Sequence, residues 1–283
     1  MTRVRVVTDS GADLAAGVVA RLGITVVPLV VRFGDQIYLD GQLSADELWR
    51  KIAAGPHHPG TSQPAVGVFE ETFASLVEAG CPVLCLTITS KHSGTFNSAW
   101  AAAQRFGGRV RVMDTLSLSL GQGFQVLAAA HAAAKGKDLA EVTRLAEQAR
   151  ECTQLFILLD TIEHIRRGGR ADVLIPVLDR VTKLLAIKPV LRLVDGQLSL
   201  HSMARSYERG LAHIQREAIQ RQPVERLAVV HVRYPEAAER MAQALAEKLS
   251  FPLKDIVIAE AGPALSVHGG PKVVGVAVVQ QAD

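Results

Sequence analysis

Three segments of the sequence combine hydroxyl side chains and glycine where apolar strands should give way to helices. They are Thr8-Asp9-Ser10-Gly11, Thr61-Ser62-Gln63-Pro64 and Ser93-Gly94-Thr95. The first backbone N–H groups of a helix are unpaired and carry partial positive charge, so such segments suit a carboxylate or another anion. The same residue types also form ordinary helix N-caps and strand-to-helix turns, and these residues alone leave both interpretations open.

Two further segments join cationic or titratable side chains to glycines. The stretch 166–170 (Arg-Arg-Gly-Gly-Arg) should end a short helix, and Arg170 offers a planar fork to a carboxylate or phosphate. Its glycines can equally form a helix C-cap, where basic residues suit the dipole. For residues 267–272 we predict a glycine-rich loop. Because a histidine there has little packing purpose, His268 is a candidate functional residue.

The sequence lacks the common signatures of nucleotide, hydrolase and metal chemistry. It contains no G-x-x-x-x-G-K-[ST], no third glycine completes Gly121-Gln122-Gly123 into G-x-G-x-x-G, and no G-x-S-x-G surrounds Ser93. It has no H-E-x-x-H, and its cysteines are expected to be interior thiols. We therefore expect no ATP or NAD cofactor, no metal ion and no catalytic serine.

The elements that must position these segments alternate between β-branched apolar runs and amphipathic or alanine-rich stretches. That alternation predicts the α/β class, with an N-terminal domain in which helices flank a mostly parallel sheet. Beyond residue 153 a hairpin around Asp195-Gly196 and further strands and helices predict a mixed sheet with helices. We place the domains at residues 1–153 and 154–283 and expect a ligand cleft between them.

Composition limits the class of partner. The 283 residues fit two domains of about 150 residues each, and 48% hydrophobic residues are enough to form a sizeable core. The net charge of +3 is scattered along the chain, which argues against nucleic acid. No apolar stretch reaches the roughly 18 to 20 residues of a membrane span, and no signal peptide opens the sequence. We expect a cytoplasmic protein.

Short motifs recur in a fixed order over nearly the whole chain: Thr8-Asp9-Ser10, Thr61-Ser62-Gln63-Pro64, Ser93-Gly94-Thr95, Ser119-x-Gly121-x-Gly123, Leu159-Asp160-Thr161 through Gly168-Gly169-Arg170, Ile187-Lys188-Pro189, Ala204-Arg205-Ser206, and Gly262-Pro263 followed by His268. Each motif is weak alone, but their order is specific. In this order the sequence resembles the DegV family of bacterial fatty-acid-binding proteins, which includes the acyl-carrying subunit of bacterial fatty acid kinase.

The resemblance implies a lipid-binding subunit that is not itself an enzyme. It would hold one long-chain fatty acid in the interdomain cleft, with the carboxylate near Thr61, Ser62, Ser93 and Gly94. It would need no cofactor and no ATP site, because a separate ATP-dependent kinase would form the acyl phosphate. Near the head group, three residues would steady a phosphate or dock the kinase: Arg170, Arg205 and His268.

Two alternatives stay open. An enzyme could act on a small anionic substrate in the cleft, with His268 as acid or base and Arg170 as anion clamp. A regulatory module could instead sense lipid without passing it to a kinase. The chain also departs from the family pattern at Lys272, where glycine is usual, at Ala65, where serine often follows Gln-Pro, and at Thr115, which replaces a serine.

Overall fold

The computed structural model describes residues 3–55, 58–169 and 187–281. Contacts divide the chain into two compact units, Met1–Glu151 and Cys152–Asp283. Each unit has its own main sheet.

The first unit contains these strands and helices in chain order: β1 (Arg5–Asp9), α1 (Ala16–Leu22), β2 (Thr25–Val27), β3 (Val30–Phe33), β4 (Gln36–Leu39), α2 (Ala45–Ala54), β5 (Gly60–Ser62), α3 (Val66–Glu78), β6 (Val83–Thr87), α4 (Thr95–Ala103), β7 (Val110–Asp114), α5 (Ser119–Ala134) and α6 (Leu139–Cys152). Its main sheet is parallel with the order β2-β1-β6-β7. This confirms the predicted α/β class.

Alternation along β6 explains why helices cover both faces of that sheet. Leu84 and Leu86 point into one core with α5 and α6, whereas Val83 and Cys85 point into a second core with α3 and α4. Successive strand residues face opposite sides, so a strand that is apolar throughout must be buried on both. The carboxyl ends of β1, β6 and β7 then lie along one edge of the sheet.

A small antiparallel sheet, ordered β4-β3-β5, interrupts the alternation. Strands β3 and β4 form an antiparallel pair joined by a turn at Gly34 and Asp35. Strand β5 was not predicted, because we placed Thr61 and Ser62 in a turn before helix α3. They lie instead in a short strand that pairs with β3.

The second unit contains these elements: β8 (Thr153–Leu158), α7 (Glu163–Gly168), β9 (Lys188–Val194), β10 (Gln197–Ala204), α8 (Tyr207–Ile219), β11 (Val224–Val232), α9 (Pro235–Leu249), β12 (Ile256–Glu260), α10 (Pro263–Gly269) and β13 (Val273–Gln280). The six strands of this list form a mixed sheet ordered β10-β9-β8-β13-β11-β12. Helices α8 and α9 cover one face through a core that includes Phe156, Ile214 and Met241.

Two turns of this unit test the sequence interpretation. Asp195 and Gly196 both have positive φ, 49° and 79°, as the predicted two-residue hairpin between β9 and β10 requires. The predicted loop at 267–272 is wrong in its first half, because residues through Gly269 belong to α10. No helix in the described ranges is long and apolar enough to cross a membrane.

Candidate functional site

Strand β5 carries the first candidate hydroxyls. Thr61 and Ser62 pair with Val31 and Val30 of β3, and both side chains are half-buried. Neither residue caps the following helix, because Ala65 occupies the N-cap position of α3 and makes no side-chain cap. The capping interpretation of these two hydroxyls is therefore wrong.

The start of α4 carries the second pair of candidates. Gly94 is the N-cap residue and has no side chain with which to cap α4. The hydroxyl of Ser93 accepts from the backbone N–H of Thr95 at 3.3 Å, and the Ser93 and Thr95 hydroxyls share a hydrogen bond of 2.7 Å. Ser93 and Gly94 are half-buried, so the helix end is reachable while it is partly shielded from water.

The structure brings these two segments together through Gln63. A Cβ added to Gly94 would lie 2.9 Å from both Cδ and Nε2 of Gln63. The chain after β5 therefore runs against the start of α4, and the absence of a side chain at Gly94 permits that approach. The sequence indicates Gln63 only as part of the motif Thr61-Ser62-Gln63-Pro64. Its position directly after Thr61 and Ser62 was the signal available.

Asp9 fixes the loop that leads to Ser93. Its buried carboxylate accepts hydrogen bonds from the backbone N–H groups of Ile88 (2.7 Å) and Gly11 (2.9 Å) and from Nε2 of Gln122 (3.2 Å). It thereby ties the end of β1 to the residue after β6. Of the two interpretations of the first segment, capping holds for Asp9, which caps the short helical turn beginning at Ser10.

Burial dominates the electrostatics of Asp9. Desolvation raises its pKa to about 6, although the bonds from Ile88, Gln122 and Gly11 oppose this rise. Burial, together with the charge on Asp9, also raises the pKa of the Cys85 thiol. A carboxyl group that is already satisfied by three donors is a structural tie and does not offer itself to a ligand.

Thr115 performs a similar task at the next strand end. Its hydroxyl donates to the carbonyl of Thr87 at 2.7 Å, and the side chain is fully buried. Asp114 accepts from the N–H groups of Ser90 (3.1 Å) and Leu116 (2.9 Å). The departure from the usual serine at position 115 therefore preserves the hydroxyl that joins β6 to β7.

The candidates of the second unit lie in two places. Arg205 is exposed in the turn between β10 and α8, and Arg170 lies outside the described residues. His268 is half-buried in the last turn of α10, and a Cβ added to Gly168 of α7 would collide with its imidazole. The expectation that this histidine has little packing purpose is therefore wrong.

Lys272 occupies a position with a backbone suited to glycine. Its φ of 58° lies in the left-handed region, which a residue with a Cβ enters at a cost. Its N–H donates to the carbonyl of Val232, and its own carbonyl accepts from the Tyr207 hydroxyl, both at 2.8 Å. These bonds explain why the turn keeps this shape although the residue is lysine.

Comparison with known proteins gives one family along the whole chain. A family model described as "Uncharacterised protein, DegV family" matches residues 3–281. A DegV domain-containing protein of Deinococcus radiodurans is 36% identical over 282 residues, covering 97% of this chain and 98% of that protein. Another, from Streptomyces coelicolor, is 32% identical and covers 97% of this chain and 98% of its own length.

A solved structure supports the same relationship. A DegV family protein from Thermus thermophilus, described by its fatty acid binding, superposes with a TM-score of 0.90 at 31% identity. The match covers 99% of this chain and 100% of that protein, so both units have counterparts there.

Proposed function

The chain belongs to the DegV family, and from that premise we propose that it binds one long-chain fatty acid. The carboxylate is held by the hydroxyls of Thr61, Ser62 and Ser93 and by the start of α4 at Gly94. The observation that carries this proposal is the contact between Gln63 and Gly94, which joins the hydroxyl-bearing end of β5 to a helix start without a side-chain cap.

The chemistry of a fatty acid fits this arrangement. A carboxylate removed from water needs hydrogen-bond donors, because burying it unpaired costs several kcal/mol or more. Hydroxyl groups and helix N–H groups supply donors without a countercharge. An acyl tail of about 15 methylenes contributes on the order of 12 kcal/mol before the cost of association is subtracted. The tail then provides most of the affinity, and the hydroxyls fix where the carboxylate lies.

We further propose that this chain presents the bound carboxylate to a separate ATP-dependent fatty acid kinase and is not itself an enzyme. The missing nucleotide signatures support that division of labour. We assign three residues to phosphate binding or to docking of the kinase: Arg170, Arg205 and His268. Exposure of Arg205 on a turn suits docking, because an arginine fork pairs well with a carboxylate or phosphate on a partner.

The first experiment identifies the ligand. The protein is purified from a bacterial host and denatured, the solution is extracted with organic solvent, and released acids are measured by mass spectrometry. We expect a near-stoichiometric long-chain fatty acid. If no acid is recovered and added fatty acid does not bind, the proposal fails.

The second experiment tests the site. Ser93→Ala should weaken fatty acid binding by about tenfold or more, since the loss of a hydrogen bond to a charged group costs roughly 1.5 to 3 kcal/mol. Ser90→Ala is a matched control, because Ser90 is an exposed serine of the same loop. Equal affinities of the two variants in a lipid titration would remove Ser93 from the site.

The third experiment tests the kinase role. With ATP and a purified fatty acid kinase subunit, the loaded protein should yield acyl phosphate, and without that subunit it should yield none. Lipid binding without acyl phosphate would favour a lipid sensor. Turnover of a small anionic substrate by the isolated chain would favour an enzyme.

A further inference from the structure

A separate cluster of metal-type ligands lies in the second unit, on β10 and α8. Nε2 of His201 lies 3.2 Å from Oε1 of Glu217, and Nε2 of His213 lies 3.6 Å from the same oxygen. One ligand atom from each of the three residues falls within 4.8 Å of the others. All three side chains are half-buried.

Local backbone structure directs these side chains toward one point. His213 and Glu217 are four residues apart on α8, which places them on one face of the helix. His201 lies at a register shift between β10 and β9, where Leu200 pairs with Leu191 and Ser202 with Val190, leaving His201 as the extra residue of a bulge. A bulge re-aims the side chain of the extra residue, and such bulges are common beside functional sites.

The spacing of the ligand atoms fits a tetrahedral cation. Bonds of about 2.0 to 2.2 Å to nitrogen and oxygen place neighbouring tetrahedral ligands about 3.3 to 3.6 Å apart. The two separations from Oε1 of Glu217, 3.2 and 3.6 Å, are close to this range, and all three ligand atoms lie within 4.8 Å of one another. Three protein ligands with partial exposure leave the fourth position to water. Imidazole favours zinc, copper or nickel over magnesium and calcium.

A simple ion pair between His201 and Glu217 does not account for His213. Nε2 of His213 is buried and makes no hydrogen bond within the described part of the chain, although it points toward the carboxylate.

Two arginines near the cluster contact atoms that a metal would not use. Nη2 of Arg221 lies 3.7 Å from Oε2 of Glu217, which leaves Oε1 for the cation. Nη2 of Arg216 lies 3.5 Å from Nδ1 of His213. That nitrogen carries the proton when Nε2 binds a metal, so the exposed Arg216 side chain would turn toward solvent.

We propose that His201, His213 and Glu217 bind one zinc ion, with a water molecule as the fourth ligand. The ion joins strand β10 to helix α8 and therefore stabilises the folded second unit by mass action. This site uses none of the residues assigned to the fatty acid.

Equilibrium dialysis against zinc chloride, after chelator treatment and removal of any affinity tag, tests the proposal on the full chain. We expect one zinc per chain and a higher unfolding temperature with zinc. His213→Ala and Glu217→Gln should each weaken binding at least tenfold, and cobalt in place of zinc should give the visible absorption of a tetrahedral site.

Glu208→Gln is the matched control, because Glu208 is an exposed acid in the first turn of the same helix. It should leave zinc affinity unchanged, and Glu217→Gln should still bind fatty acid. Zinc binding that is equal in the wild type and in both ligand variants would overturn the proposal, as would the absence of zinc binding by the folded wild type.

Discussion

Two helix starts, that of α4 in the first unit and that of α8 in the second, differ in whether the side chain of the N-cap residue accepts a backbone N–H of the helix. In the first unit, the start of α4 at Gly94 has no side-chain cap. In the second unit, Ser206 is the N-cap residue of α8 and accepts from the N–H of Arg209 at 3.3 Å. A helix start that is left open can bind an anion, whereas a capped start supports its own helix.

The glycines of the two units differ in the same way. Gly94 is approached by the flexible end of an exposed glutamine. Gly168 is approached by the imidazole of His268, and Gly270 by that of His164, so α7 and α10 interlock through two histidine and glycine contacts. The approach to Gly94 thus involves a flexible side chain that can move, whereas the approaches to Gly168 and Gly270 involve packed imidazoles.

The largest effect, on fatty acid affinity, is expected for a substitution that places a capping side chain at the start of α4. Gly94→Asp adds a carboxylate at the helix start and moves only the flexible end of Gln63. Because like charges brought together cost several kcal/mol, fatty acid affinity should fall by about 100-fold or more in a lipid titration.

Gly17→Asp is the matched control for this change. Gly17 lies exposed in α1, outside the segments assigned to the carboxylate, and an added Cβ would contact nothing within 4 Å. Its affinity should match the wild type. If Gly94→Asp binds fatty acid as well as the control does, the open start of α4 is not the carboxylate site.

The next effect, on stability, is expected at Asp9. Its carboxylate at the end of β1 accepts hydrogen bonds from Ile88, Gly11 and Gln122. Burial raises its pKa to about 6 in the folded chain, above the ordinary value of about 4 for an aspartate, so between these pH values the folded state binds more protons. Stability from this group is therefore fully present below about pH 4, and its contribution of about 3 kcal/mol is lost as pH rises from about 4 to about 6.

Urea unfolding of the wild type and Asp9→Asn over this pH range measures the effect. The asparagine does not titrate, so the difference in free energy of unfolding should change by about 3 kcal/mol in favour of the variant as pH rises. A difference that stays constant with pH would mean that the Asp9 pKa is ordinary in the folded state.

A smaller effect is expected at Ser206, the capped counterpart of the α4 start. Ser206→Ala should lower the free energy of unfolding by about 1 kcal/mol, because one N–H of α8 loses its acceptor. Fatty acid affinity should not change. A loss of affinity with unchanged stability would place Ser206 with the ligand and erase the contrast between the two helix starts.

The smallest effect is expected at Lys272. Lys272→Gly relieves a left-handed backbone that costs about 1 to 2 kcal/mol, but glycine also gains freedom in the unfolded chain. Thermal unfolding should show a net gain of about 0.5 to 1 kcal/mol. Destabilisation would show that the lysine side chain contributes more than the backbone strain removes.

The elements that can be predicted from the sequence are those whose hydrophobic or amphipathic pattern is contained within the element itself. Strand β6, with four apolar residues in succession, and helix α9, with proline at its first turn, are predicted by their own residues. Strand β5 has only three residues and exists because it pairs with β3, thirty positions earlier, which no local pattern reports.

The α10 helix was missed for a different reason. Its start carried a usable signal, since Gly262 is the N-cap residue and Pro263 occupies the first turn. The glycines at its end outweighed that signal and favoured a loop. For the candidate site, the residue types were visible in the sequence, but the contact that joins Gln63 to Gly94 depends on the small antiparallel sheet.

Strand β13 has a consequence for the order in which the molecule forms during synthesis. It is the last strand described, yet it lies between β8 and β11, and Val274 near its start pairs with Leu158 of β8. The sheet of the first unit uses strands that end by Asp114. On the ribosome the first unit can therefore complete its sheet early, whereas the second waits for its final strand and exposes the unpaired edges of β8 and β11 to chaperones until then.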